Sequence, residues 1–136
     1  MTTFYQQRFA ATHRHVSKDN WPNTRDRDAR QRGAVNEALA EGSPVVIDNT
    51  NPTVADRAAI IAMARAHGAR VSGYFFDVTT REAVARNAQR SGRQRVPNVA
   101  IFTIAKRLER PTLEEGFDEL FRVAVASDGG FSVTRD

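Results

Sequence analysis

No cysteine occurs in the 136 residues, which excludes a disulfide, a thiolate nucleophile and a cysteine-based zinc site. Any bound metal must sit on oxygen or histidine. Long apolar runs are missing as well: no stretch approaches the roughly 18 residues of a membrane span, and residues 1–20 lack the apolar centre of a secretory signal. The expected location is cytoplasmic, with no membrane partner. Internal repeats and low-complexity linkers are also absent. At 40% hydrophobic and 26% charged, the 136 residues have the length and composition of one globular domain rather than of a disordered chain.

Charge is present but unevenly spread. The net charge is +4, yet residues 8–32 hold seven Arg or Lys against three acids and residues 79–110 hold eight against two. Residues 111–136 reverse this, with two against six. Two basic segments and an acidic end suit a polyanion, either nucleotide phosphates or a nucleic-acid backbone, and equally describe a solvated arginine-rich surface.

Hydrophobic periodicity alternates between helix and strand. Tyr5 and Phe9 share a helical face over residues 3–9, and His13 to Ser17 is short enough for a strand. Residues 25–41 place Ala34, Val35, Ala38 and Leu39 on one side and end at Gly42. Pro44 to Asp48 is the unbroken apolar run of a strand buried on both faces. Thr53 caps a helix over 54–67, with Ala58, Ile61 and Ala62 expected inward and Gly68 as its stop. Strand Val71–Phe76, helices Arg81–Arg90 and Val99–Arg107, and strand Phe117–Ala126 complete the series. The last strand has Phe121, Val123 and Val125 on one face. Strands separated by helices predict an α/β fold, a parallel sheet with helices on both faces, over residues 1–126. Residues 127–136 read as a C-terminal tail.

Open parallel sheets bind ligands beyond the carboxyl ends of their strands. The first strand runs out into Lys18-Asp19 and the second into Asp48-Asn49-Thr50-Asn51-Pro52. Carboxylates there can take a proton from a hydroxyl or hold magnesium through water, while Asn and Thr can hydrogen-bond phosphates or hydroxyls. The same residue types also make turns and helix caps, the preferred reading for Asn51-Pro52-Thr53. For Asp19 and Asp48 together, the functional reading is preferred. Beyond the third strand, Arg86 and Arg90 stand four apart on one helical face, with Arg93 and Arg95 following. Like charges so placed call for an anion to share, such as a phosphate gripped by guanidinium groups, or else belong to a solvated basic loop. His13 and His15 read as strand or surface residues, because neither has a second ligand at metal-binding spacing. Trp21 offers a surface for base stacking, or is an ordinary packed tryptophan.

Four motifs in order carry a resemblance: Val45-Val46-Ile47-Asp48-Asn49-Thr50-Asn51-Pro52, Arg86-Asn87-x-x-Arg90, Val96-Pro97, and Pro111-Thr112-Leu113-x-x-Gly116-Phe117. Across residues 1–125 the chain resembles the AAA-type P-loop kinases, the family that includes the kinase domain of polynucleotide kinase. In that family a strand leads into G-x-x-x-x-G-K-[ST], whose amides cradle phosphates while the lysine reaches the β- and γ-phosphates. Thr2-Thr3-Phe4 look like the residues after that lysine. The resemblance therefore implies a P-loop NTPase-like fold whose first strand and P-loop are missing from residues 1–136, as though the start site had been misplaced. The missing strand would lie between the one ending at Asp48 and the one spanning Val71 to Phe76. Strands pair about 4.8 Å apart, so its loss implies a doubled gap or unpaired backbone edges, and a poorly stable chain, unless the half-sheets close up.

Residue by residue, the resemblance implies a kinase moving the γ-phosphate of ATP to a hydroxyl. Asp19 matches the general base, Thr2 the magnesium-binding hydroxyl, and Asp48 the second acid near the Mg2+. Arg90 matches the lid arginine on the donor phosphates, with Arg86 in support and Thr3 beside the nucleotide. Lys18, Trp21, Arg25, Asn49 and Asn51 are the candidate acceptor contacts. The acceptor stays open between a polynucleotide 5′-hydroxyl and a small hydroxylated metabolite, as does oligomeric state. A catalytically inactive nucleic-acid-binding remnant and a non-enzymatic interaction fragment are the alternatives from other classes.

Overall fold

The computed structural model describes residues 2–77, 79–89, 92, 95–126 and 130–136, without the side chains of Thr2 and Thr80. Its elements follow the order α1 (Thr2–Arg8), β1 (Arg14–Val16), α2 (Arg27–Ala40), β2 (Val45–Ile47), α3 (Val54–Ala66), β3 (Ser72–Phe76), α4 (Thr80–Ala88), α5 (Asn98–Arg107), β4 (Glu119–Val125) and β5 (Phe131–Arg135). Short 3-10 turns at Lys18–Asn20 and Leu113–Glu115 precede α2 and β4. The chain divides into two units, residues 1–50 with 62–69, and residues 51–61 with 70–136.

The first unit holds a two-stranded parallel sheet. Val16 faces Ile47 across the ladder, and Asp48 N–H extends it by donating to the Val16 carbonyl at 2.8 Å. Asp26 starts α2 by accepting from Ala29 N–H at 3.0 Å. Gly42, at φ 75°, stops it in the left-handed conformation that a side chain would oppose. Val35 and Ala38 are buried on the inner face of α2, as their spacing predicts, together with Phe4 of α1 and Val16 of β1. Strand β2 is half-buried along its length instead of sealed on both faces.

The second unit holds a mixed sheet in the order β3-β4-β5. Strands β3 and β4 are parallel, with Tyr74 opposite Phe121 and their rings stacked at 5.0 Å. Strand β5 returns antiparallel to β4, with Val133 opposite Val123. Residues 131–135, read from sequence as tail, thus form an edge strand, and the sheet is not wholly parallel. The expected α/β architecture is present, and among the described residues no ladder joins the two sheets.

Two buried polar clamps organise the second unit. Asp56 N–H donates to Thr53 Oγ1 at 3.1 Å, the predicted cap of α3. The expected inward face is only partly right, since Ala58 and Ala62 are exposed while Arg57 and Ile61 are buried. Arg57 is admitted because every reach of its guanidinium is answered. It donates to Glu115 Oε1 and Oε2 at 2.8 and 3.2 Å, to the Asn51 carbonyl at 3.0 Å and to the Glu109 carbonyl at 2.8 Å. Asn87, 2% exposed in the last turn of α4, is the other clamp. Its Oδ1 accepts from Val96 N–H at 2.9 Å, and its Nδ2 donates to the Val96 carbonyl at 2.5 Å and to Asn98 Oδ1 at 3.4 Å.

Candidate functional site

Parallel pairing brings the carboxyl ends of β1 and β2 to the same edge, so the residues after Val16 lie beside those after Ile47. Three hydrogen bonds build the cluster there. Ser17, 2% exposed, accepts from Asp19 N–H at 3.2 Å and fixes the 3-10 turn. Lys18 N–H donates to Asn49 Oδ1 at 2.9 Å. The Asn49 amide in turn donates to Gln31 Oε1 at 2.6 Å, and Gln31 is buried on α2. One amide therefore ties both strand exits to the helix.

The turn exposes the Asp19 carboxylate, which makes no hydrogen bond or ion pair among the described residues. Asp48 is the opposite case. Its Oδ2 lies 2.8 Å from His15 Nε2, and its side chain is only 8% exposed. A carboxylate can only accept, so Nε2 carries the proton and donates. The Tyr5 ring lies 4.5 Å from the His15 ring, and Tyr5 Oη donates to the His13 carbonyl at 2.5 Å. Helix α1 thereby fixes the imidazole against Asp48.

The remaining candidates divide by position. Thr3 is exposed on α1, and Arg25 is exposed just before α2. The Lys18 ammonium is engaged, with Nζ 2.5 Å from Asp28 Oδ1. Trp21 follows the 3-10 turn with the Arg30 guanidinium 5.5 Å from its ring centroid. Asn51 and Arg86 belong to the second unit: Asn51 adopts φ 40°, its carbonyl held by Arg57, and Arg86 is half-buried in the last turn of α4. Arg90 and the Thr2 side chain lie outside the described residues.

The Lys18 hydrogen bond and then its charge hold the Asp28 carboxyl below its ordinary 3.8. A carboxyl depressed in the folded state contributes stability above its unfolded pKa and loses it as pH falls through the folded value. For so exposed a pair the contribution is small. Carboxyl NMR should find the Asp28 midpoint below 3.8, and Lys18→Met should raise it; a native midpoint at or above 3.8 would break the assignment.

Among the described residues no group of three or more His, Asp or Glu could cage a metal ion. The donor set instead fits the looser habit of magnesium, which takes one or two carboxylates and completes its shell with phosphate oxygens and water.

Sequence reading missed His15, Gln31 and Arg57. Gln31 and Arg57 gave no signal, being polar residues on otherwise ordinary helices. His15 was detectable only once the register was known: it faces Val46, and Asp48 two residues on falls on the same side of the sheet.

A family model described as an AAA domain matches residues 4–111. The matched span opens within α1, takes in both strand exits, Arg57 and the Asn87 clamp, and ends at Pro111, before the 3-10 turn that carries Glu115, the partner of Arg57. With most of the chain matched and an α/β fold bearing polar clusters at parallel strand ends, the protein belongs to the AAA domain family, whose members are P-loop NTPase-like and nucleotide-binding.

Proposed function

We propose that the protein is an ATP-dependent phosphoryl transferase that moves the γ-phosphate to a hydroxyl, with a 5′-hydroxyl polynucleotide as its acceptor. The observation that carries this reading is the strand-end cluster, where an exposed carboxylate on a capped turn follows one strand and a buried one held by histidine follows its parallel neighbour. Asp19 removes the proton from the acceptor hydroxyl as its oxygen bonds to the γ-phosphorus and the bond to the ADP oxygen breaks. Asp48 and Thr2 hold Mg2+, which when bound neutralises charge on the phosphate oxygens. Arg90 and Arg86 grip the donor phosphates, with Thr3 alongside; Lys18, Trp21, Arg25, Asn49 and Asn51 meet the acceptor. These roles rest on the family resemblance, and positioning with charge neutralisation supplies most of the rate enhancement in such reactions.

The full-length protein should bind magnesium ATP at micromolar concentration in a calorimetric titration and transfer labelled γ-phosphate to a 5′-hydroxyl oligonucleotide. Absence of nucleotide binding by folded protein would overturn the reading. Binding with transfer only to small metabolites would keep the kinase and replace its acceptor.

A further inference from the structure

A groove of about 410 Å³ runs along α2, lined by Trp21, Ala29, Arg30, Gly33, Ala34 and Glu37. Its volume lies within the range of small-ligand sites. The helical lining residues recur at the spacing of one face over two turns, and the floor they make is small-sided. Gly33 is the telling position. A Cβ added there would meet nothing within 4 Å, so packing does not demand the glycine. Residue 33 is exposed, so a side chain added there would stand in the groove.

The walls define the chemistry. The half-buried indole of Trp21 is held by its own backbone, whose N–H donates to the Lys18 carbonyl at 3.1 Å and whose carbonyl accepts from Thr24 N–H at 3.2 Å. Arg30 lies over that ring at 5.5 Å and makes no ion pair among the described residues. Glu37 stands two helical turns further on, roughly 10 Å along the axis. The groove thus offers an aromatic face, a cation and a carboxylate acceptor. A ligand matching all three has a flat ring, a hydrogen-bond donor on its edge and an attached anion.

We propose that this groove is a nucleobase subsite for the nucleotide that carries the acceptor hydroxyl, an assignment that rests on the reading of Asp19 as the base. The nucleobase stacks on Trp21, and its amino edge donates to Glu37. Arg30 leaves the indole for the adjoining phosphate, exchanging a cation–π contact for a charge-assisted one. Trp21 lies two residues after Asp19, and in a nucleoside only the sugar separates the base from its 5′-oxygen, so the geometry of the acceptor itself links the two residues.

Trp21 is the single tryptophan of the chain, so its fluorescence reports the groove directly, without ATP or turnover. A 5′-hydroxyl trinucleotide should quench it saturably, while an abasic trinucleotide of equal charge should not. A nucleoside 3′-monophosphate separates the sources of the base: quenching as tight as by the trinucleotide assigns the groove to free nucleotides, weaker quenching to a polynucleotide end. Gly33→Leu fills the groove and should weaken binding about tenfold or more, the scale of one stacked base. Equal quenching by the abasic oligomer, no quenching at all, or wild-type affinity in a folded Gly33→Leu variant would each overturn the proposal. Should circular dichroism show Gly33→Leu misfolded, Glu37→Ala on the exposed helix face, which removes the acceptor, decides instead, and unchanged affinity there refutes the subsite. Quenching without phosphoryl transfer would retain the groove and discard the kinase; transfer without quenching would do the reverse.

Discussion

Asp19→Asn in the full-length protein should slow phosphoryl transfer by about 10²–10⁴-fold, the contribution of a positioned general base. Magnesium ATP affinity should stay near wild type. The substitution is nearly isosteric, and the turn that presents residue 19 is fixed through its backbone N–H and the Ser17 hydroxyl, which asparagine leaves in place. The exposed carboxylate supports no other contact among the described residues, so its loss removes no packing. A fall in kcat with an unchanged KM for ATP marks an interaction made in the transition state alone. Single-turnover transfer measured beside calorimetric ATP binding separates the two. Transfer at the wild-type rate would remove Asp19 from the role of base.

Arg57→Ala should cost about 3–5 kcal/mol, the usual penalty for stranding one partner of a buried ion pair. Both side chains are deeply enclosed, at 9% and 7% exposure, so the Glu115 carboxylate left behind would find little water. The same change orphans the Asn51 and Glu109 carbonyls. Against a typical domain stability of about 5–15 kcal/mol, such a loss is large. Glu115→Ala should cost a similar amount, and the double variant less than the sum, because neither then leaves an unpaired charge. Urea unfolding of the four proteins measures this. A loss below about 1 kcal/mol in Arg57→Ala would mean that the pair behaves like one at the surface.

The same arginine shows where sequence reading stops. Helices α2 and α3 were readable because their termini are written locally, in Thr53 at one start and in Gly42 and Gly68 at the two ends. Strands β2 to β4 were readable from apolar runs between those helices, whereas β1, Arg14–Val16, was expected only from its short length. The inner face of α3 was misjudged because Arg57 is buried by Glu115, 58 residues away, and a lone arginine among alanines looks like surface. Strand β5 was missed because the alternation in Phe131–Arg135 is only five residues long. The strand-end positions of Asp19 and Asp48 were legible from the order of elements alone. Their different environments did not follow: Ser17 sets one turn locally, whereas His15 reaches Asp48 through a register that no short stretch encodes.

The Asn87 clamp bears on how far the neighbouring basic stretch can change over generations. By fastening both the N–H and the carbonyl of Val96, one amide joins the two ends of residues 88–95 independently of what lies between them. Lengthening such a segment then costs only the entropy of closing a larger loop, about 0.6 kcal/mol for a doubling. Insertions after α4 and before Arg95 therefore cost the fold little provided Gly92, at φ 58°, is kept, so descendants can alter the number and spacing of arginines there while α4 and α5 stay joined.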